Sequence, residues 1–226
     1  MNKSRILALP FFGICIVFGW FFLETLLVPS YHFDQAGLLK SVLIIMVGAF
    51  LGTTFWILGT GYEKRAGTFR VLLIIATVVY GVCLFAALFG SVDVTRKNAG
   101  IQPYSFVPFR TIRAYFRAYS AGTVSTSVVI ENLIGNFLLF CPMGFIAPFL
   151  AEILRNRKFF CLFTVIVLCL TEFLQFVTAR GSMDIDDVIL NFAGAVLFHL
   201  LFWNKRAEAL WSKAGLIEDE WYIPLP

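Results

Sequence analysis

Six long apolar stretches, separated by polar connections, dominate the hydropathy pattern of this chain. They cover residues 6–28, 38–59, 68–92, 128–151, 159–178 and 185–203. Each is close to the roughly 20 residues that a helix needs to cross the hydrocarbon core of a bilayer. The pattern therefore predicts an all-α, polytopic integral membrane bundle of about six transmembrane helices.

The longest connection, residues 93–127, is too polar to span a membrane and too aromatic for a plain linker. Within it, Arg110, Arg113 and Arg117 recur at three- and four-residue spacing, which in a helix places them in one basic stripe. Two interpretations stay open. The segment is either an amphipathic helix lying on anionic lipid, or an arginine wall that binds phosphate or carboxylate.

Composition supports the membrane assignment, with 59% hydrophobic and 14% charged residues. The net charge of +4 is small and the basic residues are scattered, so we expect no nucleic-acid binding.

Lys and Arg are more numerous on the face that carries both termini. Because positive residues accumulate on the cytoplasmic side, both termini are predicted to be cytoplasmic and the 93–127 loop to lie outside.

Polar side chains recur on the faces of two apolar segments. Asn132 and Asn136 are four residues apart, and Glu172 precedes Gln175 by three, so each pair shares a helical face. Such groups are costly in a bilayer and indicate a functional site. The alternative for the asparagines is hydrogen bonding between helices that fixes the bundle, and the two roles are compatible.

An acidic cluster opens the last apolar segment. Asp184, Asp186 and Asp187 follow Arg180, and Asn191 lies one helical turn after Asp187. The positive end of a helix dipole favours carboxylates at this position, but capping by one aspartate does not account for three. Clustered carboxylates suit hard, oxygen-seeking ions, so Asp184 and Asp186 are candidate ligands for a divalent cation.

Three blocks of these residues resemble the VanZ-like membrane proteins, which are associated with glycopeptide resistance. SFVPFRTI is similar to the first block at Pro108 and Phe109, with Ser105 in place of the family's asparagine. The second block, NLIGNFLLFCPMGF, matches at Asn132, Gly135, Asn136, Phe140, Pro142, Gly144 and Phe145. The third, ExxQ followed by RxxxDxDDxxxNxxG, matches at Glu172, Gln175, Arg180, Asp184, Asp186, Asp187, Asn191 and Gly194.

The resemblance implies a multi-pass protein of the bacterial plasma membrane and, from the family's namesake, reduced teicoplanin susceptibility. It implies no reaction mechanism. We expect residues 1–67 to form two transmembrane helices outside the family core. Residues 68–203 would be the core, with the outer interfacial loop 93–127, and residues 204–226 a cytoplasmic tail.

Our leading hypothesis is an outward-facing polar cavity that recognises an anionic amphiphile. The partner would be a lipid-linked cell-wall intermediate, a phospholipid or a lipoglycopeptide. Arginines would hold the anionic group and amides would give directional hydrogen bonds. The candidate binding residues are Arg110, Arg113, Asn132, Asn136, Gln175, Arg180 and Asn191.

Two other classes of function remain open. The first is an enzyme that modifies such a lipid, with Glu172 or Asp187 as general base and Asp184 with Asp186 holding the cation. The second is a transporter that uses Glu172 and a helix kinked at Pro142. Transporters usually place their site near the midplane, whereas these polar residues are predicted to crowd the outer half.

Overall fold

A computed structural model of the chain describes residues 3–27, 35–89, 104–178 and 183–217. Arg180 lies outside these residues. The helices are α1 (Lys3–Leu27), α2 (Gln35–Leu58), α3 (Tyr62–Phe89), α4 (Arg110–Ser120), α5 (Thr126–Leu139), α6 (Cys141–Leu150), a 3-10 turn (Glu152–Arg155), α7 (Arg157–Val177), α8 (Ile185–Phe202) and α9 (Lys205–Lys213). Two short strands, β1 (Tyr104–Ser105) and β2 (Met183–Asp184), complete the described structure.

Five helical segments in the described ranges are long and apolar enough to cross a membrane. They are Lys3–Phe21, Tyr62–Phe89, Thr126–Leu150, Arg157–Val177 and Ile185–Phe202. The other predicted span corresponds to α2, a 24-residue helix whose segment Ile44–Leu58 is also apolar. The all-α membrane bundle predicted from the hydropathy pattern is confirmed.

The chain divides into two compact units. One contains residues 1–83 and 204–226, and the other contains residues 84–203. In the first unit, α1 and α2 pack closely because Gly48 and Gly52 of α2 face α1. A Cβ on Gly52 would lie 2.8 Å from the Phe12 ring, and Phe11 stacks on Phe55 with ring centroids 5.6 Å apart. Small residues at four-residue spacing let membrane helices approach each other in this way.

The start of α3 holds the end of α9 in the same unit. Tyr62 Oη donates a hydrogen bond to Ser212 O at 3.3 Å, and Arg65 Nη1 donates to Ala214 O at 3.3 Å. The chain after α9 then turns at Gly215, whose φ of 72° is one that side chains rarely adopt.

In the second unit, α8 is the central helix and packs against α5, α6 and α7. Two glycines allow this. A Cβ on Gly194 of α8 would overlap Phe137 O of α5, and a Cβ on Gly144 of α6 would overlap Ala195 O of α8. The backbones therefore touch at both places, and the core beside them is formed by Phe140, Ala147, Leu154, Phe160, Leu168 and Ala195.

The fourth predicted span, residues 128–151, is two helices rather than one continuous helix. The helical path breaks at Phe140, which has φ −101° and ψ 1°, and α6 begins at Cys141 with Pro142 in its first turn. Proline has no backbone N–H, so it is accommodated where a helix starts and disfavoured within one. The prediction of a kink from Pro142 is consistent with this break.

Candidate functional site

Polar side chains from α4, α5, α7, β2 and α8 meet around the N-terminus of α8. We call this group the polar cluster, and its members are Tyr115, Asn132, Asn136, Glu172, Asp184, Asp186 and Asp187. All of them belong to the unit of residues 84–203. The second and third blocks of the sequence motif are therefore brought together in space.

A two-residue parallel bridge positions the backbone on both sides of the cluster. Tyr104 pairs with Met183 and Ser105 pairs with Asp184. No pattern of hydrophobic and polar residues predicts strands this short. Ser105, the residue that replaces the family's asparagine, is only 3% exposed and lies directly opposite Asp184.

Asp186 binds the N-terminus of α4. Its carboxylate accepts hydrogen bonds from the backbone N–H groups of Phe109, Thr111 and Ile112, the last two at 2.8 and 3.1 Å. The first N–H groups of a helix have no partner within the helix, and its dipole favours negative charge there. Asp186 thus caps α4 from 75 residues away in sequence.

The turn that precedes α4 has an unusual backbone. Arg110 N–H donates to Val107 O at 3.2 Å, so Pro108 and Phe109 occupy the two central positions of a tight turn. Phe109 has φ 63° and ψ 10°, the left-handed conformation that a type II turn requires at its second central residue. This conformation costs a residue with a side chain roughly 1–2 kcal/mol. Asp186 offsets that cost by accepting the Phe109 N–H.

Glu172 and Asp184 form the next link. Glu172 is 5% exposed, and its Oε2 accepts a hydrogen bond from the Asp184 backbone N–H at 2.9 Å. Asp184 is in turn the N-cap of α8, because its Oδ1 accepts from the Asp186 N–H at 2.9 Å. These carboxylates tie α7, β2 and α8 together.

Asp187 and the two asparagines connect α8 and α4 to α5. Asn136 Nδ2 donates a hydrogen bond to Asp187 Oδ1. One turn earlier, Asn132 Oδ1 accepts from Tyr115 Oη at 2.7 Å, while its Nδ2 donates to Val128 O at 2.8 Å. The contacts between helices that the sequence offered as an alternative role for the asparagines are therefore present.

The arginines of α4 lie on the opposite side of their helix from these contacts. Thr111, Tyr115 and Ala118 are buried and face the bundle, whereas Arg110, Arg113 and Arg117 are exposed. The predicted amphipathic helix with one basic stripe is therefore observed. The arginines do not join Asn132 and Asn136 on a common surface.

The remaining candidate residues have separate positions. Gln175 Nε2 donates to Leu88 O at 2.9 Å and so links α7 to the end of α3. Asn191 is 4% exposed, and its Oδ1 has no hydrogen-bond partner among the described residues. Arg180 falls outside the described residues, so its binding role stays a prediction.

Each aspartate of the acidic cluster has a distinct contact, which the capping of one helix could not explain. Asp184 caps α8, Asp186 caps α4, and Asp187 binds Asn136. Within the described ranges, no group of three or more His, Cys, Asp or Glu side chains has a geometry that could hold a metal. A divalent cation at Asp184 and Asp186, like a catalytic role for Glu172 or Asp187, stays a prediction.

Sequence reasoning missed two contributors to the cluster. Tyr115 is absent from the candidate residues, although its three-residue offset from Ile112 and Ala118 places all of them on neighbouring rows of one helix. The Phe109 backbone had no sequence signal, because a positive φ is unusual for phenylalanine.

Comparison with known families identifies the chain. The model of the family described as VanZ/LLP1 matches residues 71–207, more than half of the protein. The chain belongs to the VanZ/LLP1 family. No curated protein and no solved structure gave a match.

The VanZ/LLP1 assignment gives the motif residues a structural context. Family membership and the five candidate spans make this a multi-pass bacterial membrane protein, and the family association is with teicoplanin resistance. Its motif glycines Gly144 and Gly194 are points of backbone contact. In this VanZ/LLP1 protein, Phe109 and Asp186 form one contact between the first and third motif blocks.

Proposed function

We propose that this VanZ/LLP1 protein recognises an anionic amphiphile through the exposed arginine face of α4. This face consists of Arg110, Arg113 and Arg117, and the polar cluster holds it in position. The exposure of all three guanidinium groups on a helix whose other side is fixed to the bundle carries the proposal. The ligand would be a lipid-linked cell-wall intermediate, an anionic phospholipid or a lipoglycopeptide.

The charge of the arginine face favours an anionic ligand. Guanidinium groups offer several N–H donors in a plane and bind phosphate or carboxylate oxygens with two hydrogen bonds at once. Within the described structure, none of the three guanidinium groups has a hydrogen bond or an ion pair. Their donors are therefore free to bind a ligand from the membrane surface.

The surroundings of the arginine face favour an amphiphile over a free anion. Phe106, Phe109, Phe116 and Tyr119 are 64%, 50%, 53% and 48% exposed. Aromatic side chains next to basic ones are typical of helices that lie in the headgroup region of a membrane. A ligand with an anionic head and an apolar tail would contact both kinds of residue.

The polar cluster supports recognition by restricting α4. Asp186 fixes the N-terminus of the helix and Tyr115 fixes its middle, through Asn132. A binding surface that is already ordered loses less conformational entropy when the ligand arrives. In this account, Asn132, Asn136 and Asp187 position the arginine face, and the outward-facing cavity of the sequence hypothesis stays a prediction.

Native mass spectrometry of the purified protein tests the proposal. The probes are an undecaprenyl-linked cell-wall precursor, phosphatidylglycerol and teicoplanin, with uncharged undecaprenol as the control ligand. Replacing all three arginines of the face by glutamine should weaken binding of the anionic probes roughly 100-fold, because each basic residue at a membrane surface contributes about 1 kcal/mol.

A matched variant controls for the change in net charge. Lys64→Gln, Arg70→Gln and Arg157→Gln remove three exposed charges elsewhere and should leave binding intact. The proposal would be refuted if both triple variants lost binding of the anionic probes to the same extent, or if both retained it. A chemically altered precursor, formed by the native protein and not by Asp187→Asn, would instead establish the enzymatic alternative.

A further inference from the structure

The adjacent helices α7 and α8 carry three buried polar atoms that have no hydrogen-bond partner among the described residues. Thr164, Asn191 and His199 are 0%, 4% and 1% exposed. Thr164 Oγ1, Asn191 Oδ1 and His199 Nδ1 make no hydrogen bond to any described residue. Buried polar atoms in proteins nearly always have a partner, either a protein group or an ordered water molecule.

The protonation state of Nδ1 in His199 follows from the contact that the second ring nitrogen, Nε2, makes. His199 Nε2 lies 2.9 Å from Leu154 O, and a carbonyl oxygen only accepts, so Nε2 carries the proton. The imidazole also stacks on Phe160, with ring centroids 4.2 Å apart, which fixes its orientation. In the neutral ring, Nδ1 is therefore a hydrogen-bond acceptor held in a defined place.

The three atoms cannot supply all of one another's hydrogen bonds. His199 Nδ1 and Asn191 Oδ1 are both acceptors, and the Thr164 hydroxyl has a single proton to donate. At least one acceptor consequently needs a donor from another molecule. A water molecule, with two donors and two acceptor sites, supplies what is missing.

The spacing of the three residues suits intervening water. Phe160 lies at the level of His199, and Thr164 is one turn further along α7, a rise of about 6 Å. Asn191 is eight residues before His199 on α8, a rise of about 12 Å along that helix. Because the two helices run antiparallel, Thr164 lies at a level between Asn191 and His199.

We propose that the α7–α8 seam is an internal water-binding site, in which ordered water bridges Asn191 Oδ1, Thr164 Oγ1 and His199 Nδ1. The site lies away from the exposed arginines of α4 and is independent of their proposed function. It would place water deep in a membrane-spanning helix pair, on the same buried side of α7 that carries Glu172.

Solid-state NMR of the full-length protein in liposomes of phosphatidylethanolamine and phosphatidylglycerol tests this site. The chain has two histidines, so His32→Asn leaves His199 as the only histidine for ¹⁵N labelling. We expect magnetisation to pass from water protons to His199 Nδ1. Thr164→Val should reduce this transfer by roughly half, because it removes one of the few polar groups that hold the water.

Thr171→Val is the matched control. Its hydroxyl is also on α7 but already donates to Val167 O at 3.0 Å, so its removal should leave the transfer to His199 unchanged. The absence of transfer from water to Nδ1 in the single-histidine protein would overturn the proposal. An equal decrease in the two threonine variants would also overturn it, because the effect would then not depend on the seam.

Discussion

Asp186 of α8 binds the first turn of α4 and thereby fixes the position of a helix with three exposed arginines. Its carboxylate accepts three backbone N–H groups at the start of α4, and one of them belongs to the left-handed residue Phe109. Hydrogen bonds to an ionised group contribute about 1.5–3 kcal/mol each. The orientation of the arginine face therefore depends on a residue that is distant in sequence and only 1% exposed.

Replacing Asp186 by alanine should loosen α4 while leaving the bundle in the membrane. Removal of even one charged hydrogen bond predicts amide exchange in the first turn of α4 that is roughly 10- to 100-fold faster. Hydrogen exchange measured by mass spectrometry on peptides that cover residues 106–120 would detect the change.

Glu152→Ala is the control for this experiment. Glu152 also carries a carboxylate, but it is exposed and pairs only loosely with Arg155, at 3.8 Å. Its loss should not alter exchange in α4. If the α4 amides exchange at the same rate in the Asp186→Ala protein as in the native protein, the Asp186 carboxylate does not hold the helix.

The residue types of the acidic cluster could be interpreted from sequence, but their partners could not. The acidic cluster was predicted to open a helix, and α8 begins there with Asp186 and Asp187 in its first turn, where the helix dipole favours carboxylates. Asp184, Asp186 and Asp187 are nearly adjacent, yet their side chains bind groups on α8, α4 and α5 respectively. Helical spacing predicts the face of the helix on which a side chain lies. It does not predict which other element packs against that face.

Among the elements, α8 has the most restricted packing. Gly194 contacts the α5 backbone at Phe137, and Gly144 of α6 contacts the α8 backbone at Ala195. Without apolar transfer from water as a driving force, membrane helices associate largely through such close contact. The break at Phe140 lies between the two contacts and allows α5 and α6 to follow α8 separately.

Replacing Gly194 by alanine should separate α8 from α5. The new methyl group would overlap the Phe137 carbonyl, and overpacking of a core costs about 1–3 kcal/mol. At about 2–4 °C per kcal/mol for a chain of this size, Tm should fall by roughly 2–12 °C. Thermal unfolding of the detergent-purified protein, followed by tryptophan fluorescence, measures this.

Gly81→Ala is the control that distinguishes the effect of packing on Tm from the effect of helix propensity. Gly81 is also helical, but nothing lies within 4 Å of a Cβ at that position. Alanine there should leave Tm unchanged or raise it slightly, since glycine in a helix costs about 0.5–1 kcal/mol relative to alanine. A Gly194→Ala protein as stable as the Gly81→Ala protein would contradict the packing described for α8.

The sequence predicted elements better than their ends. Hydropathy located the membrane helices, and the arginine spacing predicted α4 correctly. The division of residues 128–151 at Phe140 was not located, because a proline signals a break without saying where the preceding helix stops. The β1–β2 bridge was missed because its two-residue strands are too short to form a pattern.

In the whole molecule, the motif residues connect the membrane bundle to an exposed helix. The chain is a multi-pass VanZ/LLP1 membrane protein, and its three motif blocks meet at one end of α8. These residues join the helices and fix α4, whose arginines face away from the bundle. We therefore interpret the motif as the support of a recognition surface, with α4 as the part that contacts the ligand.

Photo-crosslinking in living bacterial cells tests this claim most directly. Benzoylphenylalanine in place of Phe116 puts the probe on an exposed position beside Arg113 and Arg117. The same probe at Ile166, an exposed position on α7, samples the surrounding lipid. Mass spectrometry then identifies the captured lipids.

We predict that anionic amphiphiles make up a larger fraction of the lipids captured by the probe at position 116 than of those captured at position 166. The excess should disappear when Arg110, Arg113 and Arg117 are replaced by glutamine. Capture of the same lipids in the same proportions at both positions, with or without the arginines, would contradict the account.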